Sequence, residues 1–242
     1  MDKVSLVLGA DHDCGYLTNQ IARSVYVDPA LVMTQEVYSA FVANGFRRSG
    51  RLVYRPYCQA CAACRPVRVS SARFEPNRSQ RRTTRRNSDL FAVVKPAEFN
   101  EEHYRLFLRY QSARHEGGEM AWMSRSNYID FLSAPWGVTH VVEFRDVGGA
   151  LVSVAVVDEL VDGLSAVYTF FDPILPQRGL GTFAVLWQLT EAKRLGLPWV
   201  YLGFWIEESP KMNYKARFQP LQVLSGGQWR ELANLEGSDG VP

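Results

Sequence analysis

The sequence predicts a mixed α/β (α+β) fold in two parts, an N-terminal domain with a cysteine cluster over residues 1–95 and a C-terminal domain over residues 96–242. The second half has the pattern of several strands in a meander, followed by a helix and another strand, which is typical of a mixed α/β layer. The first half contains three cysteines at regular spacing. The 242 residues are 47% hydrophobic and 21% charged, which supplies one large or two modest cores and excludes a disordered or fibrous chain.

In the first half, a helix is predicted over residues 34–44, because apolar residues recur on one face and Gly45 follows as a stop. Residues 78–86 are too polar to be buried, so we expect a loop or an exposed helix there. Strands, indicated by alternating β-branched and aromatic residues, are predicted at 52–57 and 66–73.

The second half has a more regular pattern. Asp162-Gly163 is a hairpin signal between two apolar strands. A glycine-containing loop at residues 177–181 precedes an amphipathic helix that ends at Leu195. Further helices are predicted at 97–115, 126–132 and 208–215. Strands are predicted at 138–145, 150–160, 164–171, 198–205 and 221–224.

The sequence predicts neither a membrane segment nor an export signal. The apolar run at residues 151–157 is far shorter than the roughly 20 residues that span a bilayer. Residues 4–8 are apolar, but they lack the basic start and the small-residue cleavage site of a signal peptide. We therefore expect a cytoplasmic protein with no membrane partner.

Positive charge is concentrated in one segment. Residues 47–86 contain 12 arginines and the single acid Glu75, a local net charge of +11, whereas the rest of the chain carries −9. The planar arginine fork suits phosphate groups and stacks on bases. The segment predicts a surface for a nucleic acid, with a solvated basic surface as the alternative.

Four cysteines suggest a metal site. Cys58, Cys61 and Cys64 form a C-x-x-C-x-x-C pattern that brings three thiolates around one small volume, and Cys14 completes a set of four. Such a set suits an iron–sulfur cluster or a structural zinc ion. His12 is a further candidate ligand. The alternative is a group of buried thiols without a metal.

The loop Arg178-Gly179-Leu180-Gly181-Thr182 opens a predicted helix, where free backbone amides bind anions. Because it follows a strand that ends in aromatic residues, this pattern resembles the acyl-CoA loop of the GNAT acetyltransferase fold. The resemblance implies an acyltransferase sheet, although short glycine loops are also common strand-to-helix connections.

Several further motifs occur in one order along the chain. They are Cys14-Gly15-Tyr16, residues 45–50 (Gly-Phe-Arg-Arg-Ser-Gly), Tyr54-Arg55-Pro56, residues 78–82 (Arg-Ser-Gln-Arg-Arg), residues 201–206 and residues 209–220. Together they resemble the bacterial aspartate/glutamate leucyltransferases, which belong with the arginyl-tRNA–protein transferases. The resemblance extends from about residue 10 to residue 222.

This resemblance implies transfer of leucine from leucyl-tRNA to the N-terminal α-amine of proteins that begin with Asp or Glu, which marks them for degradation by the N-degron route. It implies a GNAT-like C-terminal domain. We expect leucyl-tRNA and acidic-start proteins as partners, no acetyl-CoA, and a monomer.

The reaction requires neither a strong base nor a covalent intermediate, because the ester is already activated and the α-amine, with a pKa near 8, is partly neutral. Tyr168 and Asp172 are the expected proton relay and amine anchor, and Tyr214 is a second candidate phenol. All three also have ordinary structural roles in proteins.

Two groups of binding residues are expected. A cation that selects the acidic N-terminus is sought among Lys211, Lys215 and Arg217, which alternatively form a solvated basic face, and an arginine of residues 47–48 is a further candidate. The residues expected to bind tRNA are Arg47, Arg48, Arg78, Arg81, Arg82, Arg178, Gly179 and Gly181. Arg114 and His115 are either a cationic helix end or contacts to the tRNA acceptor end.

Two alternative functions stay open. A GNAT acetyltransferase that uses acetyl-CoA explains the glycine loop but leaves the arginine run and the cysteines without a role. A non-catalytic, metal-bearing nucleic-acid-binding module explains the arginine run and the cysteines, but it gives no role to the acyltransferase-like second half of the chain.

Overall fold

The computed structural model describes residues 4–114 and 123–236. Its strands are β1 (Leu6–Leu8), β2 (His12–Asp13), β3 (Ile21–Ala22), β4 (Ser24–Val27), β5 (Arg47–Ser49), β6 (Leu52–Pro56), β7 (Arg65–Ser70), β8 (Phe91–Pro96), β9 (Val138–Arg145), β10 (Leu151–Leu160), β11 (Gly163–Phe171), β12 (Trp199–Trp205), β13 (Leu221–Ser225) and β14 (Gln228–Glu231). Its α-helices are α1 (Gln35–Ala43), α2 (Arg78–Arg86), α3 (Glu101–Arg114), α4 (Arg125–Leu132), α5 (Leu180–Arg194) and α6 (Leu232–Glu236). Short 3-10 helices lie at Pro176–Arg178 and Asn213–Arg217.

Within these ranges the strands form three sheets. The large sheet has the order β14-β13-β7-β12-β11-β10-β9-β8, and the small sheet has the order β1-β4-β6-β5. Strands β2 and β3 pair with each other. In the large sheet β11 and β12 run parallel, and the other neighbouring strands are antiparallel. The mixed α/β fold that the sequence predicts is therefore confirmed.

The two halves of the chain share the large sheet. Strand β7, from the first half, lies between β12 and β13, and β8 forms the edge beyond β9. The boundary expected near residue 95 therefore does not separate one sheet from the other. A division into domains 1–95 and 96–242 stays a prediction.

Helices cover both faces of the large sheet, which explains why β10 is buried along nearly its whole length. Val154 and Val156 belong to the apolar cluster under α3 and α4. Ala155 and Val157 point the other way, into the cluster under α5. The sheet is thus the middle layer of three.

A buried polar network joins the small sheet to the large one. Asp158 of β10 accepts hydrogen bonds from the Tyr38 hydroxyl of α1 (2.8 Å) and from the Thr139 hydroxyl of β9 (2.8 Å). It also forms two 2.7 Å hydrogen bonds with the guanidinium of Arg48 on β5. Because every partner of the carboxylate comes from a different element, the network fixes how these elements meet.

Most predicted elements are confirmed, some with shifted ends. The strand predicted at 138–145 matches β9, and the helix predicted at 34–44 matches α1, which Thr34 caps. The polar segment 78–86 is helix α2, which Asn77 and Gln80 cap reciprocally. The helix expected at 208–215 is instead the 3-10 helix Asn213–Arg217.

Among the described residues, no helix is both long enough and apolar enough to cross a membrane.

Candidate functional site

The candidate site is a gap between the two parallel strands of the large sheet. Strands β11 and β12 pair over only three residues, from Gly163 with Trp199 to Ser165 with Tyr201. Both strands continue beyond this point without pairing to each other. Since unpaired strand edges leave backbone carbonyls available, this gap offers hydrogen-bonding groups in the middle of the sheet.

The side chain of Arg47 enters the gap from the small sheet. Its Nη2 atom donates to the carbonyls of Ala166 (2.5 Å) and Val167 (3.3 Å) on β11. On the β12 side, Gly203 has a φ of +77°, and a Cβ built there would lie 2.9 Å from the Arg47 Cζ atom. Glycine is therefore required at 203 both for its backbone conformation and for the close approach of the guanidinium.

The expected tRNA contact Arg47 thus lies inside the gap rather than on the surface. The expectation that Arg48 contacts tRNA is also corrected, because its side chain and that of Asp158 are each 1% exposed. Its Nη2 further donates to the Leu132 carbonyl (3.0 Å) and the Thr139 hydroxyl (3.2 Å). No part of the Arg48 guanidinium is left for a phosphate.

Tyr168 on β11 lies beside the gap with its hydroxyl held by a neighbour. The Nε2 atom of Gln111, a residue of α3 that is 0% exposed, donates to the Tyr168 hydroxyl oxygen over 3.2 Å. The Tyr168 ring packs on Phe131 (ring centroids 5.2 Å apart) and on Tyr110 (6.5 Å). Burial raises the pKa of Tyr168 well above its ordinary value, so the phenol stays protonated at neutral pH.

Tyr214 lies on another side of the same region. Burial raises its pKa, and it interacts electrostatically with Tyr110 and Arg47. Tyr110 also contacts Tyr168. Tyr214 thus lies within electrostatic range of Tyr110, which packs on Tyr168, and the catalytic roles of both phenols stay predictions.

Asp172 follows the last residue of β11. One of its carboxylate oxygens lies 3.8 Å from the Arg109 Nη2 atom, and the other accepts from the backbone amide of Ile174 (3.2 Å). The side chain is 19% exposed, so the carboxylate is partly open to solvent. Its amide donates to the Val152 carbonyl of β10 (2.9 Å), which fixes its backbone to the sheet.

The three cations of the 3-10 helix region are not equivalent. Lys211 and Arg217 are exposed. Lys215 is buried, its Nζ atom donates to the Phe204 carbonyl, and burial lowers its pKa to about 7. The expectation that Lys215 receives the acidic side chain of a substrate is therefore corrected, because the amine faces the interior.

The arginines of α2 form the basic surface that the sequence predicts. The exposed members are Arg78, Arg81, Arg82, Arg85 and Arg86. Helix α2 lies against the glycine loop, where Asn87 donates to the Arg178 carbonyl (2.8 Å). It also contacts the 3-10 helix, since Gln80 donates to the Arg217 carbonyl (3.0 Å).

In the glycine loop, Arg178 forms a two-bond ion pair with Asp89 (2.8 and 2.9 Å), so its charge is already partnered. Gly179 has a φ of +64° and ends the 3-10 helix where α5 begins. Gly181 lies in the first turn of α5, where an added Cβ would meet the Phe171 ring at 3.4 Å. The amides of this turn lie beside the arginines of α2, as an anion site would require.

Cys14, Cys58, Cys61 and Cys64 line one cavity of about 540 Å³. All four are unpaired thiols. Burial, reinforced by the other three thiols, raises the pKa of Cys64 to about 12. Within residues 4–114 and 123–236, no group of three or more His, Cys, Asp or Glu side chains is arranged to hold a metal ion. The donor set suits a soft metal but is not converged on one, and the iron–sulfur or zinc site stays a prediction.

Sequence reasoning missed Gln111 and Tyr16. Gln111 is one of several polar residues on a helix, and only its burial against Tyr168 distinguishes it. Tyr16 lines the cysteine cavity and interacts electrostatically with Tyr168. Arg114 is exposed, with its guanidinium 5.5 Å from the Phe171 ring, whereas His115 lies outside the described residues.

The fold is similar to that of one solved structure, the C-terminal domain (DUF2156) of a protein described as a lysylphosphatidylglycerol synthetase from Agrobacterium fabrum. The TM-score is 0.50 at 15% identity, over 78% of this chain and 64% of that one. The large mixed sheet thus places the chain in the same class of α/β fold as that domain.

Sequence comparison narrows this class. The family model described as "Arginine-tRNA-protein transferase, N terminus" matches residues 12–82, and the model for the C terminus matches residues 102–225. A protein named aspartate/glutamate leucyltransferase from Nitrosococcus oceani is 49% identical, over 92% of this chain and 93% of the relative. One from Thiobacillus denitrificans is 48% identical, over 95% of each. The chain belongs to the arginine-tRNA–protein transferase family and is an aminoacyltransferase.

Proposed function

We propose that this protein transfers leucine from leucyl-tRNA to the N-terminal α-amine of proteins that begin with Asp or Glu. The observation that carries the proposal is the near-full-length similarity, at 44–49% identity, to proteins named aspartate/glutamate leucyltransferase. The leucylated proteins then enter the N-degron route of degradation. The protein acts in the cytoplasm, where charged tRNA is found, and as a monomer.

The arginines of α2 bind the phosphate backbone of the tRNA. Five exposed arginines on nine helical residues make a dense positive surface that carries no acidic residue. Helix α2 and the residue that follows it contact both the glycine loop and Arg217. A tRNA bound to α2 therefore lies next to the loop and next to the 3-10 helix Asn213–Arg217. Gly179, Gly181 and the amides after them supply a second contact for a phosphate.

Tyr168 moves the proton that the reaction releases. The neutral α-amine attacks the ester carbonyl carbon, a C–N bond forms, and the bond from that carbon to the ribose 3′ oxygen breaks. The proton that leaves the nitrogen must reach the departing 3′ oxygen. A protonated phenol accomplishes this by donating its own proton to that oxygen while it accepts the one from the amine.

Gln111 supports this role of Tyr168 from the side. Because the Gln111 amide donates to the phenol oxygen, the hydroxyl hydrogen is directed away from α3. Tyr214 shares the neighbourhood of Tyr110 and assists in orienting the ester. Holding amine and ester in place supplies the larger part of the acceleration.

Negatively and positively charged side chains together recognise the N-terminus of the acceptor protein. Asp172, at the end of β11, anchors the acceptor's amine. Lys211 and Arg217 are the exposed cations available for the acidic side chain, and arginine has the fork that binds a carboxylate with two hydrogen bonds. Cys14, Cys58, Cys61 and Cys64 hold an iron–sulfur cluster or a zinc ion when a metal is bound, and that metal organises their loop.

A transfer assay with two donors tests the proposal. A peptide that begins with Asp is incubated with the protein and either radiolabelled leucyl-tRNA or radiolabelled acetyl-CoA. We expect label in the peptide from leucyl-tRNA alone. Label from acetyl-CoA supports the acetyltransferase alternative, and binding of tRNA without transfer to any peptide supports a non-catalytic module.

A further inference from the structure

The cavity that the four cysteines line has two further kinds of wall. One wall is a row of three aromatic rings, with Tyr26 and Tyr54 at 6.0 Å between centroids and Tyr54 and Phe204 at 6.3 Å. The rest includes aliphatic side chains, among them Leu52 and Ile206. A volume of about 540 Å³ falls within the range of small-ligand sites.

Apolar side chains at this cavity remain open to solvent. Tyr57 is 58% exposed, Ile21 57% and Leu52 48%. Such a concentration of accessible apolar surface around a concave site is typical of a place where a ligand is bound.

The cavity connects to the gap through a short chain of contacts. Phe204 of the aromatic wall follows Gly203, against which the Arg47 guanidinium lies. Arg47 in turn holds the carbonyls of Ala166 and Val167, directly before Tyr168. Tyr16, which also lines the cavity, interacts electrostatically with Tyr168, so the cavity and the proposed proton relay lie in the same region of the molecule.

The charges at the cavity disfavour an acidic ligand. The arginine that lines it, Arg23, forms an ion pair with Asp11 through two hydrogen bonds. The acidic side chain of an acceptor protein would find no uncommitted arginine or lysine among the lining residues. A purine ring suits the aromatic wall, and a branched aliphatic group suits the remainder.

We propose that this cavity binds the 3′-terminal aminoacyl-adenosine of the donor, with the adenine against Tyr26, Tyr54 and Phe204 and the leucine side chain among the aliphatic residues. The assignment rests on the proposed leucyl transfer and adds to it the place where the donor's acyl end is held. It separates the acyl end, which carries no negative charge, from the phosphate backbone, which α2 binds on the other side of the 3-10 helix Asn213–Arg217.

A small stable analogue tests the assignment. In 3′-leucylamido-3′-deoxyadenosine, an amide replaces the reactive ester and the molecule carries no tRNA body. Its affinity is measured by calorimetry for the wild type, for Leu52→Trp, which fills the cavity, and for Tyr57→Ala, which removes an aromatic side chain at its rim. Val147→Trp, at an exposed site in the turn between β9 and β10, is the matched control.

We expect the wild type and Val147→Trp to bind the analogue equally, and Leu52→Trp and Tyr57→Ala to bind it roughly tenfold or more weakly. All four should bind equally a tRNA that lacks the 3′-terminal adenosine, which shows that they are folded and that α2 is intact. The analogue should compete with leucyl-tRNA. Competition with the acceptor peptide instead, or unchanged affinity in both cavity variants, would overturn the assignment.

The proposed function is judged separately by leucine transfer in the wild type. If the wild type transfers leucine and Leu52→Trp does so with unchanged KM for leucyl-tRNA, the cavity assignment fails and the proposed function stands. If the wild type neither transfers leucine nor binds the analogue, both fail.

Discussion

The guanidinium of Arg47 occupies the space that a side chain at Gly203 would need. A Cβ at residue 203 would lie 2.9 Å from the Arg47 Cζ and 3.0 Å from its Nε. The absence of one side chain in β12 thus allows an arginine from β5 to bridge to β11. This relationship ties the small sheet to the site and can be broken by one substitution.

Gly203→Ala should impair catalysis beyond its effect on stability. The alanine adopts an unfavourable positive φ, which costs about 1–2 kcal/mol, and it also displaces Arg47 from the gap. We expect kcat/KM for leucine transfer to fall by up to about a hundredfold, because the ester and amine are misplaced. Gly149→Ala is the matched control, since Gly149 has a φ of +84° with no atom within 4 Å of the added Cβ. Equal activity in the two variants would show that the Arg47 position is unimportant.

Tyr168→Phe should lower kcat by about a hundredfold or more, because it removes the hydroxyl of the proposed relay. It should also lower the free energy of unfolding by about 1–3 kcal/mol, because the buried Gln111 amide loses its acceptor. Tyr128→Phe is the control. The Tyr128 hydroxyl is buried and has no hydrogen-bond partner within the described ranges, so its removal should leave kcat unchanged and stability equal or higher. Single-turnover transfer rates and melting temperatures measure both. Full activity in Tyr168→Phe would exclude the relay.

Breaking the Arg48–Asp158 pair should be costly. Arg48→Met leaves the Asp158 carboxylate buried without its two guanidinium hydrogen bonds, which costs about 3–5 kcal/mol in the free energy of unfolding. Arg194→Met breaks an exposed pair with Glu191 and should cost less than about 1 kcal/mol. Urea denaturation distinguishes the two. Similar losses in both variants would mean that the buried network does not organise the fold.

The stability of the protein should depend on the protonation of Lys215. In the folded state its pKa is about 7, against an ordinary value of 10.5, so between these pH values the unfolded chain binds the extra proton. The free energy of unfolding therefore gains a contribution that rises with pH from about 7 to 10.5. Lys215→Met should be more stable than the wild type near neutral pH, with a difference that shrinks as the pH rises. Parallel pH profiles for the two proteins would contradict this account.

Substitutions in α2 should weaken tRNA binding in a salt-dependent way. Replacing Arg78, Arg81 and Arg82 with glutamine removes three phosphate contacts, so the slope of log affinity against log salt should fall by about three. Arg105→Gln, which removes an exposed arginine of α3, should leave the slope unchanged. Binding of deacylated tRNA across a salt series provides the measurement. An unaltered slope in the triple variant would place the RNA elsewhere.

The sequence predicted those elements that are marked by residues close together in the chain. The hairpin of β10 and β11 has Asp162-Gly163 at its turn, and α5 has an amphipathic repeat bounded by glycines. The position of β7 between β12 and β13 could not be predicted, since strand neighbours distant in sequence are chosen by the packed sheet. Strands β1 to β5 have only two to four residues, which is too few to show alternation.

Some residues of the candidate site could be predicted from the sequence and others could not, for a related reason. Tyr168, Asp172 and Tyr214 carry recognisable chemistry at the ends of predicted elements, and the structure places them near the gap or at the end of β11. Arg48 differs from the surface arginines only through Asp158, 110 residues away. A charge count assigns all twelve arginines of residues 47–86 to one surface, but Arg48 is buried and Arg47, Arg55 and Arg68 are partly buried.

Mass spectrometry of acceptor peptides tests the central claim most directly. Two peptides that differ only in an N-terminal Asp or Asn are incubated with the protein and leucyl-tRNA. The account predicts one leucine on the α-amine of the Asp peptide and none on the Asn peptide, because the acidic side chain is what the exposed cations select. An unmodified Asp peptide, or equal modification of both, would contradict it.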